Sequence, residues 1–377
     1  MTRTVTLRPM RIAMIAPPWF TVPPQGYGGV ENVCADLVDG LVARGHEVSL
    51  IGAGQPGTQA GRFVATYAEP PSGRLGEPLP EVLHSAAAAQ VLDGLDVDVV
   101  HDHTLAGPLL ARGRRMPTVV TMHGPVADEP GEYYRLLAGT VDLVAISQAQ
   151  RRAAPDLSWL GTVHNAVDVD SFPFRAEKDD MLLFLGRMHP DKGVHLAIDA
   201  ARRAGLPIVV AGKCTEPLER EYFRTHVEPR LGPDVTIFGP ADATQKRDLL
   251  SRAAALVFPI LWDEPFGMVM IEAMACGTPV VALRRGSVSE VVVDGVTGVI
   301  CDDVEELPAA ITAARRLAPA DCREHVRTRF DVDTMVRGYE SLYREAILLR
   351  VPAPGNDLGL HAPGRGWRPR LPAGAAA

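Results

Sequence analysis

Short apolar runs rich in β-branched residues alternate with helical patterns along this chain, and the whole alternation occurs twice. In the first half the runs are Arg11 to Ile15, Val48–Ile51, Val97–His101, Val119–Met122 and Leu143–Ile146, with a helical stretch from about Val30 to Ala43. In the second half they are Met181–Leu185, Pro207–Ala211, Val235–Phe238, Ala255–Phe258, Pro279–Ala282 and Gly298–Ile300, with a helix over Val194–Arg203. Runs this short, mainly apolar and bounded by turn or charged residues, fit strands of a parallel sheet covered on both faces. The rhythm lapses between Val169 and Lys178. Two doubly wound α/β domains facing each other across a cleft are therefore expected, over residues 10–168 and 169–330, each of ordinary domain size. Phe330 to Leu349 reads as one long amphipathic helix, and the segment 331–350 is expected to pack back on the first domain. The opening nine residues and the tail 351–377, rich in Pro, Gly, Ala and Arg, are expected to stay outside the fold. The Gly/Pro-rich stretch Ala53 to Gly76 reads ambiguously.

Composition narrows the function classes. With 46% hydrophobic residues among 377, the chain can fill two cores, and a formal net charge of −8 argues against a general nucleic-acid binder. The five cysteines are scattered without C-x-x-C spacing, as free thiols in a reducing cytoplasm would be. No stretch reaches the length of a membrane span and the first residues lack a signal-peptide core. A cytoplasmic location is expected, with docking on a membrane surface left open. Only four of the 38 basic residues are lysine (Lys178, Lys192, Lys213, Lys246), which with abundant Ala, Gly and Pro fits a GC-rich bacterial genome.

Open α/β sheets take ligands beyond the carboxyl ends of their strands, so the polar residues there are the candidates. The loop Val22-Pro-Pro-Gln-Gly26-Tyr-Gly28-Gly29-Val30-Glu31 follows the first strand and opens a helix. Glycine lets backbone amides approach an anion, and a helix N-terminus favours negative charge. A dinucleotide fingerprint would need a third glycine where Glu31 stands and an acid ending the second strand, which instead ends Ile51-Gly-Ala. NAD binding is disfavoured, and a plain turn stays open for this loop alone.

The matching loop of the second half is Gly186-Arg187-Met-His-Pro-Asp-Lys192-Gly193. Two cations in one strand–loop–helix connection form a diphosphate clamp, Arg as a planar fork and Lys as a point charge. The alternative is a solvated surface loop. The third string, Asp263-Glu264-Pro-Phe266-Gly267-Met268-Val269-Met-Ile-Glu272-Ala-Met-Ala-Cys-Gly-Thr-Pro279, follows the strand ending at Phe258. Its helix starts near Met268 and stops at Gly277, turning free N–H groups into the cleft. Two carboxylates beside an anion site suit a ligand with both hydroxyls and phosphates. His101 and His103 share one face of a strand end. A metal would need a third ligand that is not evident, so hydrogen bonding or acceptor contact is the expectation.

The spacing of Glu264 and Glu272 inside E-P-F-G-M-V-M-I-E-A-M-A-C-G-T-P-V-V-A resembles the hallmark of the retaining glycosyltransferases of family four, which have the GT-B fold of two Rossmann-like domains. The resemblance extends to G-R-M-H-P-D-K-G, the early G-G-V-E, A-I-S at Ala145–Ser147 and H-N-A-V-D at His164–Asp168. It implies that Arg187 and Lys192 bind a diphosphate, Glu264 a donor-sugar hydroxyl and Glu272 the ribose. It further implies that the Gly267 and Met268 amides contact the sugar, and that Gly28 and Gly29 bring amides to the phosphate. Gly186, Phe266 and Val269 would complete the donor site. His123, in T-M-H-G, would touch the donor sugar, and the base would lie near Ile237-Phe238-Gly239. His123, Glu264, Arg187 and Lys192 form the implied catalytic set.

The implied reaction moves a hexose with retention, without cofactor or metal, from a nucleotide-diphosphate sugar to a hydroxyl. A UDP-sugar is expected ahead of GDP-mannose. The acceptor would be a bacterial envelope glycan, a glycolipid or a natural product, held by loops around Ala53–Gly76 and Gly124–Tyr134. A sugar-nucleotide 2-epimerase of the same fold and a non-catalytic two-lobed sugar-binding protein are the other readings.

Overall fold

The computed structural model describes residues 8–26 and 28–350. The expectations for residues 1–7 and for the 351–377 tail lie outside the described residues. Strands β1 (Arg11–Ile15), β2 (Glu47–Ala53), β3 (Arg62–Tyr67), β4 (Val99–Asp102), β5 (Thr118–Met122), β6 (Asp142–Ala145) and β7 (Trp159–Thr162) form one sheet. A second sheet holds β8 (Leu182–Leu185), β9 (Ile208–Ala211), β10 (Val235–Gly239), β11 (Ala255–Phe258), β12 (Val280–Leu283) and β13 (Gly298–Cys301). The orders are β3-β2-β1-β4-β5-β6-β7 and β10-β9-β8-β11-β12-β13. Every paired neighbour runs parallel.

Each strand read from the sequence is present, and β3 and β7 are additional. Both are edge strands whose residues are only partly buried or exposed, so neither carries the uniformly apolar run that marks a central strand. Strand order reverses between β1 and β4, and again between β8 and β11. The loops leaving β1 and β8 therefore open at the two switch points, where a doubly wound sheet leaves a crevice.

Two features join the halves. The helix Val332–Arg350 buries Met335, Val336, Tyr339, Tyr343 and Ala346 in the same core as Leu37, Val38 and Leu41 of the helix Gly29–Ala43. This helix thus returns to the first sheet, after a parallel bridge between Val167 and Asp331. Within the segment where the rhythm lapses, Lys178 donates to Ser251 O, Cys276 O and Thr278 Oγ1, each at 2.9 Å. Burial lowers its ammonium pKa to about 8. These bonds tie the connection to the second domain.

Candidate active site

A cavity of about 630 Å³ lies between the two sheets, with walls from both. Three helices begin on it. The helix Gly29–Ala43 starts after Gly28, Met268–Ala275 after Gly267, and Ala243–Arg252 after Asp242. Asp242 caps its own helix, accepting from Gln245 N at 2.8 Å. Gly28 and Gly267 carry no side-chain cap, so the first-turn N–H groups behind them are left for a ligand. Gly267 has φ +79, a left-handed conformation that glycine adopts without a Cβ penalty.

The cavity wall brings together Gly28, Gly29, Gly186, Arg187, Lys192, Glu264, Gly267, Met268, Val269 and Glu272. These are ten of the thirteen residues singled out from sequence, gathered from three separate stretches of the chain. Three are placed elsewhere. Phe266 is buried in the core of the second sheet, its ring edge-on to Phe330 at 5.8 Å, so it braces the loop from behind. Phe238 is 40% exposed and off the wall. The ladder between β10 and β9 shifts register between Ile237 and Gly239, and the residues just beyond, Pro240 and Ala241, face the cavity instead. His123 lines an adjoining pocket of about 230 Å³ with His103 and Tyr134. Pro125 is shared between that pocket and a third one, which in turn shares Glu264 with the main cavity.

Both carboxylates hold lysines. Lys192 Nζ lies 2.5 Å from Glu264 Oε2, and Lys246 Nζ lies 2.6 Å from Glu272 Oε1. Lys192 also sits over the Trp262 ring, 5.0 Å from its centroid, a cation–π contact that fixes its stem. Arg187 is 3.7 Å from both Glu216 and the buried Glu219. Lys213 lines the wall as well. Lys213, Lys246, Trp262 and the turn Pro240–Ala243 were missed by sequence reasoning. The scarcity of lysine was the available signal, since three of the chain's four lysines meet in this cavity. The loop bearing Glu264 rests on Gly286, at φ +51, where a Cβ would lie 2.3 Å from Glu264 O. Any side chain there would displace the carboxylate.

Two family models match the chain. Residues 27–171 match the model "Glycosyltransferase Family 4" and residues 168–322 match "Glycosyl transferases group 1". A D-inositol 3-phosphate glycosyltransferase of Frankia alni is 30% identical over 303 residues, covering 66% of this chain and 74% of that protein. This chain belongs to the family 4 glycosyltransferases. A glycogen synthase of Mycobacterium tuberculosis is 28% identical over 404 residues, covering 89% of this chain and 95% of its own length. Among solved structures, Anabaena HepE in complex with UDP-glucose superposes with a TM-score of 0.68 at 19% identity, over 89% of this chain and all of HepE. That likeness shows the GT-B fold.

In this glycosyltransferase four cations (Arg187, Lys192, Lys213, Lys246) and three carboxylates (Asp242, Glu264, Glu272) share the wall with the uncapped helix starts. Such a surface accepts a polyanion at its cationic part and polyhydroxyl groups beside the acids. Among the described residues no group of three His, Cys, Asp or Glu is arranged to hold a metal ion. His101 and His103 instead hydrogen-bond to side chains of neighbouring elements.

Glu31, in the first turn of the glycine-loop helix, is buried, and burial raises its carboxyl pKa to about 7. An unfolded glutamate ionises around 4.5. The folded state's advantage is therefore complete below that pH and is lost as pH rises towards 7, because the unfolded chain releases its proton first. Glu31→Gln is expected to raise stability at pH 8 by about 1–3 kcal/mol, with little gain at pH 4.5. Denaturant titrations at both pH values measure this. Equal changes at the two would remove the burial explanation.

Proposed function

We propose that this glycosyltransferase moves a hexose, with retention, from a nucleotide-diphosphate sugar to a hydroxyl acceptor and needs no divalent metal. A UDP-sugar is the proposed donor ahead of GDP-mannose, in keeping with the UDP-glucose held by HepE. The acceptor class is a bacterial envelope glycan, glycolipid or natural product, and the proposed site of action is the cytoplasm. Among the described residues no helix is long and apolar enough to cross a membrane.

The observation that carries the reading is the single cavity in which two uncapped helix starts and four cations converge beside Glu264 and Glu272. As the bond to the anomeric carbon breaks, negative charge grows on the leaving diphosphate. Lys192, held by Glu264 and over the Trp262 ring, and the N–H groups behind Gly28 and Gly267 are fixed beforehand, so they stabilise that charge without rearrangement, and Arg187 turns its fork to the same oxygens. Glu264, paired with Lys192, would hold a sugar hydroxyl next to the diphosphate, and Glu272, one turn into its helix, the ribose. The acceptor hydroxyl enters on the face the diphosphate leaves, which makes positioning the protein's main task.

Activity is expected to persist in excess EDTA, because fixed cations and helix termini occupy the role a divalent ion would play. The assay follows sugar transfer from UDP- and GDP-sugars with and without chelator. Loss of activity in EDTA, restored by magnesium or manganese, would overturn the metal-free mechanism. Conversion of the donor sugar to its 2-epimer with no acceptor present would replace transfer by epimerisation.

A further inference from the structure

A chain of polar side chains runs through the first sheet behind His123. The buried His101, at the end of β4, meets Tyr343 Oη at 2.7 Å through Nδ1 and Thr121 Oγ1 at 2.7 Å through Nε2. Thr121 in turn meets Tyr339 Oη at 2.8 Å. The carboxy-terminal helix thus braces His101, whose ring centroid lies 3.9 Å from that of His103. The backbone N–H of His103 donates to Ile15 O at 3.0 Å, beside Met14 on β1. His103 is therefore held on two sides.

Its ring makes two contacts. Nε2 lies 3.1 Å from Met14 Sδ, and Nδ1 lies 2.8 Å from His123 Nε2. A thioether sulfur has lone pairs and no hydrogen, so the first contact is a hydrogen bond only when His103 Nε2 carries the proton. A neutral imidazole has one N–H, which leaves His103 Nδ1 as an acceptor. His123 must then donate through Nε2, and its own Nδ1 is left without a proton.

We propose that Met14 and His103 lock His123 in the Nε2–H tautomer, so that Nδ1 meets the ligand as an acceptor and recognises a donating hydroxyl. A phosphate or carboxylate oxygen, which has no hydrogen to give, is rejected there. Burial supports this by keeping the rings neutral near pH 7. It lowers the His123 pKa to about 4 and those of His101 and His103 well below their usual range. His123 lines a pocket that shares Pro125 with a second one, which in turn shares Glu264 with the main cavity. On the transfer reading proposed above, the hydroxyl is one of the donor sugar or the acceptor. His103 and Met14 are positioning residues, acting through His123.

Long-range proton–nitrogen NMR of the full chain labelled with ¹⁵N-histidine reads the tautomers directly, with signals assigned by His123→Phe and His103→Phe. At pH 7 wild-type His123 is expected to show a protonated Nε2 and a lone-pair Nδ1. In Met14→Leu, which keeps the bulk and removes the sulfur, the His123 signals should shift towards tautomer-averaged positions. A proton on His123 Nδ1 in the wild type, or an imidazolium at pH 7, overturns the lock whether or not the chain transfers sugar. In kinetics, His103→Phe should lower kcat on the order of tenfold with donor KM unchanged. His103→Asn, whose side-chain oxygen can accept the same N–H, should recover most of that loss. Equal impairment of the two variants would show that His103 does not act through the His123 proton.

Discussion

Lys192→Ala is expected to weaken nucleoside-diphosphate binding by about 1.5–3 kcal/mol, roughly tenfold to 150-fold, while the fold persists. The lysine does two things at once. In the proposed function it offers a charge-assisted donor to the diphosphate, and it neutralises Glu264, 2.5 Å away. Without it the half-buried Glu264 would face the incoming phosphates with its charge uncompensated. Arg187→Ala is expected to lose affinity in the same range, since Arg187 is 3.7 Å from its acidic neighbours and can turn its fork to phosphate oxygens. Calorimetry with UDP and GDP on both variants measures the effect. Unchanged affinity in both would dissolve the clamp.

Glu264→Gln and Glu272→Gln should fail in different ways. Glu264 sits in the loop before the helix Met268–Ala275, where it lines both the main cavity and a neighbouring pocket. Its amide should lower turnover and blur donor-sugar choice with nucleotide affinity little changed, because its main partner changes during the reaction. Glu272 lies one turn inside the helix, paired with Lys246 at 2.6 Å. Its amide should weaken free nucleotide binding on the order of tenfold, since the proposed ribose contact would be made before any bond breaks. Donor kinetics and nucleoside-diphosphate binding on both variants, with circular dichroism for folding, give the comparison. The reverse pattern would mean that the donor lies the other way round.

The parts legible in the sequence were those set by local pattern. Central strands buried on both faces leave continuous apolar runs, and the glycine and two-cation loops are contiguous strings, so their positions could be read directly. Edge strands β3 and β7 lack that run and went unread. Phe238 is a neighbour of the cavity wall that turns outward, because the register shift before Gly239 is decided by pairing with β9, which no local pattern displays. Phe266 sits in a functional string yet packs into the core, a choice made by Phe330 from a segment 64 positions later. Lys246 and Trp262 act on the site through Glu272 and Lys192, pairings that exist only once the second sheet has assembled. For His103 the sequence points only to strand-end hydrogen bonding or acceptor contact. Its contact with Met14, from β1, depends on β1 and β4 lying side by side.

The central claim is that one nucleoside diphosphate touches both domains across the cleft. Hydrogen–deuterium exchange of the full chain, with and without saturating UDP, tests it most directly. Protection is predicted at the start of the helix Gly29–Ala43, across the loop from Gly186 to Gly193, and at Gly267 to Glu272, with little change at the outer strands β7 and β13. Protection confined to one domain, or falling outside these three segments, would contradict the site described here.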